Sequence, residues 1–128
     1  MLIKDKLLDK NYISKFRKKE LESVSMQYSE WYRAWRNTKG NPDVGMDDLN
    51  LALEMEEKMR MVERCAYKSD TDLKEFVFES VTKGVDYDYL KTNKNMSCSK
   101  NRFYKAIHRY YILLNRHWGA YNRHQNDK

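Results

Sequence analysis

The chain has 128 residues, of which 41% are hydrophobic, 13% aromatic and 34% charged. This length allows a single hydrophobic core, and the content of large side chains is too high for a disordered chain. No apolar run approaches the roughly 20 residues that cross a bilayer, and the charged start MLIKDKLLDK lacks the apolar core of a secretory signal. The sequence therefore predicts one cytoplasmic domain that contacts no membrane.

The net charge of +6 is concentrated in the last third of the chain. Residues 1–82 contain 15 basic and 16 acidic residues, whereas residues 83–128 contain 10 basic and 3 acidic residues and all three histidines. Release of counterions favours the binding of such a region to a polyanion. Nucleic acid is a better candidate than anionic lipid, because the basic residues lie on a patterned segment whose apolar face is aromatic and expected to be buried.

Weak strand signals and sparse glycine and proline predict an all-α fold. A turn or short helix is predicted at residues 3–8, followed by a long helix over residues 14–37. Apolar residues of the long helix recur at steps of three and four, which places them on one packing face: Leu21, Val24, Tyr28, Trp31 and Trp35. Tyr32, Arg33 and Arg36 lie off this face. Because the helix interleaves aromatic residues with arginines, stacking on nucleic-acid bases is the alternative to packing in the core.

A turn-rich stretch, NTKGNPDVG, separates that helix from a second one predicted over residues 48–67. Asp47 and Asp48 are expected to supply its N-cap and its first-turn charge. The predicted apolar face consists of Leu49, Ala52, Leu53, Met59, Val62 and Ala66. Residues 42–82 contain 5 basic and 11 acidic residues, which excludes this helix as a nucleic-acid surface. Its methionines suit either a protein contact or a small core, and both interpretations stay open.

The segment SDTDLKEFVFESVTKGV predicts a third helix, capped by one of the polar residues 69–71 and closed by a left-handed Gly84. DYDYLKTNK then predicts a short helix from Asp86. A four-residue turn and a long helix with Ser99 as its N-cap complete the pattern. This order is that of a helix-turn-helix unit, which places its last helix in DNA. The sequence therefore predicts a small helical domain with a C-terminal helix-turn-helix.

The last helix has one aromatic face and one basic face when its residues are placed 100° apart. The inward face is predicted to contain Phe103, Ile107, Tyr110, Leu114 and Trp118. A helix in the major groove presents its amino-terminal residues to base edges and its flanks to phosphates. The predicted DNA-binding residues are therefore Lys100, Asn101, Arg102 and Lys105 as base readers, and Tyr104, His108 and Arg109 as backbone contacts. The alternative is a solvated basic face with no ligand.

Residues 70–118 resemble part of a known protein family. The segments that match are DLKEFVFESV, VDYDYL and MSCSKNRFYKAIHRYYILL. They resemble the C-terminal part of small late-gene transcription regulators of phages of Gram-positive bacteria, the RinA, ArpU and LtrC group. Those proteins are of similar length and end in a helix-turn-helix similar to region 4 of sigma factors. The resemblance implies a sequence-specific regulator of double-stranded DNA in a bacterial host cell, an activator of phage late genes that also contacts host RNA polymerase.

On this interpretation the chain divides into an N-terminal helical region, residues 1–68, for packing and protein interaction, and a helix-turn-helix DNA-binding region, residues 69–128. An alternative function is a non-enzymatic factor of a phage or mobile element that binds a host or phage protein through its N-terminal helices. A homodimer through those helices also stays open, because packing within one chain would use the same apolar stripes.

No enzyme is expected, because the sequence contains no phosphate loop, no nucleophile elbow and no zinc-protease pattern. The spacing of Cys98, His108 and His117 matches no zinc site. The acidic residues between positions 43 and 57 suit a Mg²⁺-dependent nuclease in principle, but a loop, a helix cap and a solvated helix face explain them more simply. We therefore predict no catalytic residue, no metal ligand and no cofactor.

Overall fold

The computed structural model describes the backbone of residues 12–126 and the side chains of residues 12–119. Within that part the chain is helical and contains no strand, which confirms the all-α class. The helices are α1 (Lys15–Met26), α2 (Tyr28–Lys39), α3 (Met46–Ser69), α4 (Lys74–Lys83), α5 (Tyr87–Asn93) and α6 (Lys100–Asn126). The element predicted at residues 3–8 lies outside the described residues. Across residues 12–126 no helix has the length and apolar character that a membrane span requires.

The single helix predicted over residues 14–37 is wrong, because the chain forms two helices that meet at Gln27. The Gln27 amide donates to the carbonyl of Val24, a tightened turn, instead of continuing the α-helical pattern. Just before it, the Ser25 hydroxyl donates to the carbonyl of Leu21 at 2.9 Å, a bond of the kind that bends helices. As a result α1 packs against α4 and α6, whereas α2 packs along α3.

The amino terminus of α3 differs from the prediction. Gly45, not Asp47, is the N-cap residue, and it has no side chain with which to cap. Asp47 and Asp48 both fall in the first turn, where a carboxylate interacts favourably with the helix dipole. The helix therefore starts two residues earlier than predicted.

The apolar face predicted for α3 is correct only in part. Ala52, Met59, Val62 and Ala66 are buried, but Leu49 and Leu53 are 40% and 54% exposed. At 100° per residue Leu53 lies about half a turn of the helix away from Val62, on the side that faces away from the core. The amino-terminal half of α3 thus presents apolar side chains to solvent.

The start of α4 also lies later than its predicted cap. Asp70 accepts hydrogen bonds from the amides of Asp72 and Leu73, at 3.0 and 3.3 Å, and so caps a turn that precedes α4. Leu73, not one of residues 69–71, is the N-cap residue. The predicted helix end is confirmed: Gly84 has a φ of 71° and closes α4 in the left-handed conformation.

The connection from α5 to α6 is six residues long, not four as predicted, and runs over residues 94–99. It contains Asn95 with a φ of 56°, a left-handed conformation that asparagine tolerates better than most residues. The predicted cap is confirmed, since Ser99 Oγ accepts from the amide of Arg102 at 3.1 Å. Asp86 caps α5 in the same way, accepting from the amide of Tyr89 at 2.9 Å.

Two apolar clusters hold the helices together. The larger one joins α1, α2, α3, α4 and α6 and includes the fully buried Leu21, Val62, Val77, Tyr110 and Leu114. The smaller one joins α5, the 94–99 connection and α6 and consists of Tyr87, Leu90, Met96 and Phe103. Half-buried side chains of α4 and α6 contact both clusters. The regions predicted as 1–68 and 69–128 therefore share one core.

Candidate nucleic-acid interface

Helix α6 turns its aromatic face inward, as predicted. Phe103, Tyr110 and Leu114 are completely buried, and Ile107 and Trp118 are partly buried against the core. This packing fixes the rotation of α6 about its own axis. The orientation of the opposite face follows from that rotation.

All seven residues predicted to bind DNA are exposed, and all lie in the first ten residues of α6. They are Lys100, Asn101, Arg102, Tyr104, Lys105, His108 and Arg109. With 100° and 1.5 Å per residue, the last six spread over about 160° of the helix surface, and the full set extends for roughly 14 Å along the axis. We call this set the α6 basic face. Its size matches the part of a helix that a major groove accommodates.

The amino terminus of α6 is held in place by α5 and the connection. The Phe103 ring lies 5.9 Å from the Tyr87 ring, between centroids, and both belong to the smaller cluster. The Tyr87 hydroxyl donates to the carbonyl of Cys98 at 2.7 Å, one residue before the Ser99 cap. These contacts fix the first turn of α6, which contains Lys100 and Arg102, relative to the core.

Arg102 differs from the other cations of the α6 basic face, because it is bound by two aspartates. Its Nε and Nη2 donate to the Asp70 carboxylate, each at 3.2 Å, and Nη2 also donates to Asp72 at 3.1 Å. Partial burial works to raise the pKa of Asp70, but the hydrogen bonds from Arg102 and from backbone amides hold that pKa below its usual value. The two carboxylates raise the pKa of Arg102, which stays charged.

Sequence reasoning missed these aspartates as part of the interface. They lie about 30 residues before Arg102, and only the folding of the α3–α4 turn against α6 brings them to its edge. Lys100, Lys105 and Arg109, in contrast, form no ion pair with any of the residues that the structure describes. The available positive charge of the α6 basic face therefore lies on these three side chains.

The alternative sites considered from sequence are not assembled. Among the described side chains, no group of three histidine, cysteine or acidic residues lies close enough to hold a metal ion. Glu56, one of the acidic residues of α3, instead pairs with Arg60 at 2.8 Å and with Lys39 at 3.8 Å. Cys65 is buried, which raises the pKa of its thiol to about 12, so it is a packing residue in this structure.

Comparisons of this chain with protein-family models, with curated proteins and with solved structures found no match.

Proposed function

We propose that this chain is a transcription regulator that binds double-stranded DNA through the α6 basic face. One observation carries the proposal: every residue predicted to contact DNA is exposed in the first ten residues of α6, six of the seven lie on one side of that helix, and no acidic residue lies on it between positions 100 and 119. Such a surface releases counterions from the phosphate backbone on binding. The helix-turn-helix predicted from the sequence would consist of α4, α5 and α6, with a connection of six residues between α5 and α6.

The resemblance to the RinA, ArpU and LtrC group supplies the biological part of this proposal. A regulator of that kind acts in a bacterial host cell, activates phage late genes and contacts RNA polymerase as well as DNA. The α6 basic face would then read the operator, with Lys100, Asn101 and Lys105 nearest the base edges. Tyr104, His108 and Arg109 would contact the phosphates. Arg102 would join the readers after release from Asp70 and Asp72.

The proposal is tested by fluorescence anisotropy with labelled duplex DNA in a salt titration. Affinity should fall steeply between about 50 and 200 mM salt. Lys100→Gln/Lys105→Gln/Arg109→Gln should abolish binding at 100 mM salt and make the salt dependence shallower, because it removes three cations that displace counterions from the DNA. This variant leaves Arg102 and its aspartates intact, so the start of α6 keeps its tertiary contacts.

The matched control is Lys15→Gln/Lys19→Gln/Lys39→Gln, which removes the same three charges from exposed positions of α1 and α2. We expect it to bind DNA nearly as the parent does. Equal losses in the two variants would show that only the net charge matters and would reject the α6 basic face. A selection of bound oligonucleotides from random DNA then tests sequence specificity.

A second candidate function, self-association, is favoured by the exposed stripe on α3. Met46, Leu49 and Leu53 are 71%, 40% and 54% exposed and share the side of the helix that faces away from the core. Helices with such a stripe commonly pair. We infer that the partner is a second copy of this chain, arranged antiparallel along α3.

Charge complementarity supports this partner. The first half of α3 is acidic and its second half is mainly basic, so an antiparallel pair brings the acidic half of each copy alongside the basic half of the other. In the register that places residue 53 of one copy opposite residue 60 of the other, Leu53 packs against the stem of Arg60, Leu49 against Arg64 and Met46 against Tyr67. Leu49→Ser/Leu53→Ser should convert a dimer to a monomer in sedimentation experiments. A parent chain that is monomeric at 100 μM would reject a stable dimer.

A further inference from the structure

A cleft of about 580 Å³ lies between α2 and α4, and none of the residues that line it belongs to α6. Its floor includes Tyr28 and Phe78, whose rings meet edge to face with centroids 4.9 Å apart. Tyr32 stands at one side and is 44% exposed. The volume falls within the range of small-molecule sites, about 300–1,000 Å³, and aromatic walls with a few polar groups are typical of them.

The charged residues that line this cleft are all basic: Arg33 and Arg36 from α2 and Lys83 from α4. Lys83 has a distant carboxylate partner, Glu79, at 3.8 Å. Arg33 and Arg36 form no ion pair with any described residue, although they lie three positions apart on one side of α2. Neighbouring like charges repel one another, and an anion between them removes that cost.

Two simpler explanations account for only part of this arrangement. Arg36 and Lys83 lie in the last turns of their helices, where a cation interacts favourably with the helix dipole. That effect explains neither Arg33, which lies before the last turn, nor the exposed Tyr32 ring. Packing explains Tyr32 only in part, because its ring lies 6.0 Å from that of Trp35 between centroids, yet 44% of the side chain is exposed.

We propose that this cleft binds a nucleoside polyphosphate. Arg33 and Arg36 receive phosphate oxygens through their planar guanidinium groups, with Lys83 as a third cation at the opposite wall. Tyr32 offers its exposed ring to the base, an interaction that every base can make. The site uses none of the residues of the α6 basic face, so this proposal stands independently of DNA binding.

Isothermal titration calorimetry of the full chain with ATP, inorganic pyrophosphate and adenosine tests the proposal without DNA and without divalent cations. We expect saturable binding of ATP, weaker binding of pyrophosphate and none of adenosine, because both the phosphates and the base contribute. Quenching of tryptophan fluorescence gives a second readout, since the Trp35 ring lies 6.0 Å from Tyr32 between centroids. Absence of saturable ATP binding up to millimolar concentrations would overturn the proposal, as would pyrophosphate binding as tight as that of ATP.

Arg33→Ala/Arg36→Ala should weaken ATP binding at least tenfold. Its matched control is Lys105→Ala/Arg109→Ala, which removes two charges from α6 and should leave ATP binding unchanged. Both pairs are exposed, and far-UV circular dichroism with thermal melting checks that both variants fold. An equal loss in the two double variants would show non-specific attraction of ATP to a basic protein and would reject the site.

Tyr32→Ala and Tyr32→Phe separate the base from the phosphates. Tyr32→Ala should reduce the affinity for ATP to that for pyrophosphate, whereas Tyr32→Phe retains the ring and should bind ATP like the parent. If Tyr32→Ala binds ATP as tightly as the parent, the base is not stacked on this side chain and the proposed geometry is wrong.

Discussion

The hydroxyl oxygens of Ser25 and Tyr110 lie 2.8 Å apart, and both side chains are completely buried. This hydrogen bond joins α1 to the centre of α6 across 85 residues of sequence. Ser25 also donates to the carbonyl of Leu21, so in this arrangement Tyr110 donates to Ser25. Burial raises the pKa of Tyr110, and the hydrogen bond with Ser25 opposes that rise only in part.

Tyr110→Phe should lower the free energy of unfolding by about 1 kcal/mol, the net value of a typical hydrogen bond. Ser25→Ala should cost a similar amount, because it leaves the Tyr110 hydroxyl buried without its acceptor. The double variant should lose less than the sum of the two, since both single changes break the same bond. Urea denaturation of the four proteins measures this coupling, and strictly additive losses would show that the two hydroxyls do not interact.

Phe103→Ala should lower the free energy of unfolding by about 3–5 kcal/mol, because it removes a fully buried ring from the cluster that joins α5 to α6. Lys105→Ala, two residues along and exposed, should change it by less than about 0.5 kcal/mol. Thermal and urea denaturation provide the measurement. Equal stability of Phe103→Ala and the parent would mean that α6 is rotated differently about its axis.

Asp70→Asn/Asp72→Asn should strengthen binding to duplex DNA, because it frees Arg102 for a phosphate or a base. An additional contact by an exposed cation contributes little to affinity, so we expect a gain of only roughly two- to fivefold. The salt dependence should become steeper by about one phosphate contact. Asp48→Asn/Glu57→Gln removes two charges from exposed positions of α3 and controls for net charge. If both variants gain equally, the aspartates do not compete with DNA for Arg102.

The Asp70 carboxylate should also make stability depend on pH. Its pKa is lower in the folded chain than in the unfolded one, so its contribution is fully present above the unfolded pKa, near 4, and is lost as the pH falls through the folded pKa. Asp70→Asn should therefore be less stable than the parent at pH 7, and the difference should shrink below about pH 4. Urea denaturation at a series of pH values checks this. A difference that stays constant with pH would contradict it.

The two cysteines should differ in reactivity. Cys65 is 1% exposed, and burial raises its thiol pKa to about 12, so little thiolate is present at pH 8. Cys98 is only half-buried. Reaction with a disulfide reagent at pH 8 should modify Cys98 first, and Cys65 should react only as the chain unfolds. Mass spectrometry after partial labelling identifies the site, and early labelling of Cys65 would contradict the packing of α3.

Features that depend on neighbouring residues could be predicted from the sequence. The helical periodicity of α6 defined its inward face. Ser99 and Asp86 indicated helix starts, because their side chains bond to amides three residues away, and Gly84 indicated a helix end, because glycine adopts the left-handed conformation. The exposure of six of the seven predicted contact residues follows from the same periodicity, whereas Lys100 is exposed as the first residue of α6. Their role in binding DNA stays a prediction.

Features that depend on distant contacts could not be predicted. The bend at Gln27 arises where α1 meets α6 through Ser25, and no local signal distinguishes the stripe of α1 from that of α2. The capture of Arg102 by Asp70 needs the α3–α4 turn to lie beside α6. Leu53 fits an apolar pattern in the sequence, but the structure leaves it exposed because no described helix covers that side of α3.

The shared core has a consequence for dissection of the molecule. Leu21 of α1 and Val62 of α3 pack in the same cluster as Val77 and Tyr110, so residues 69–128 cut out alone would expose an apolar surface and aggregate. The α6 basic face therefore depends on the rest of the chain, and residues 69–128 alone should not fold into the same surface. Loss of packing in α1 or α3 should therefore disturb the α6 basic face as well.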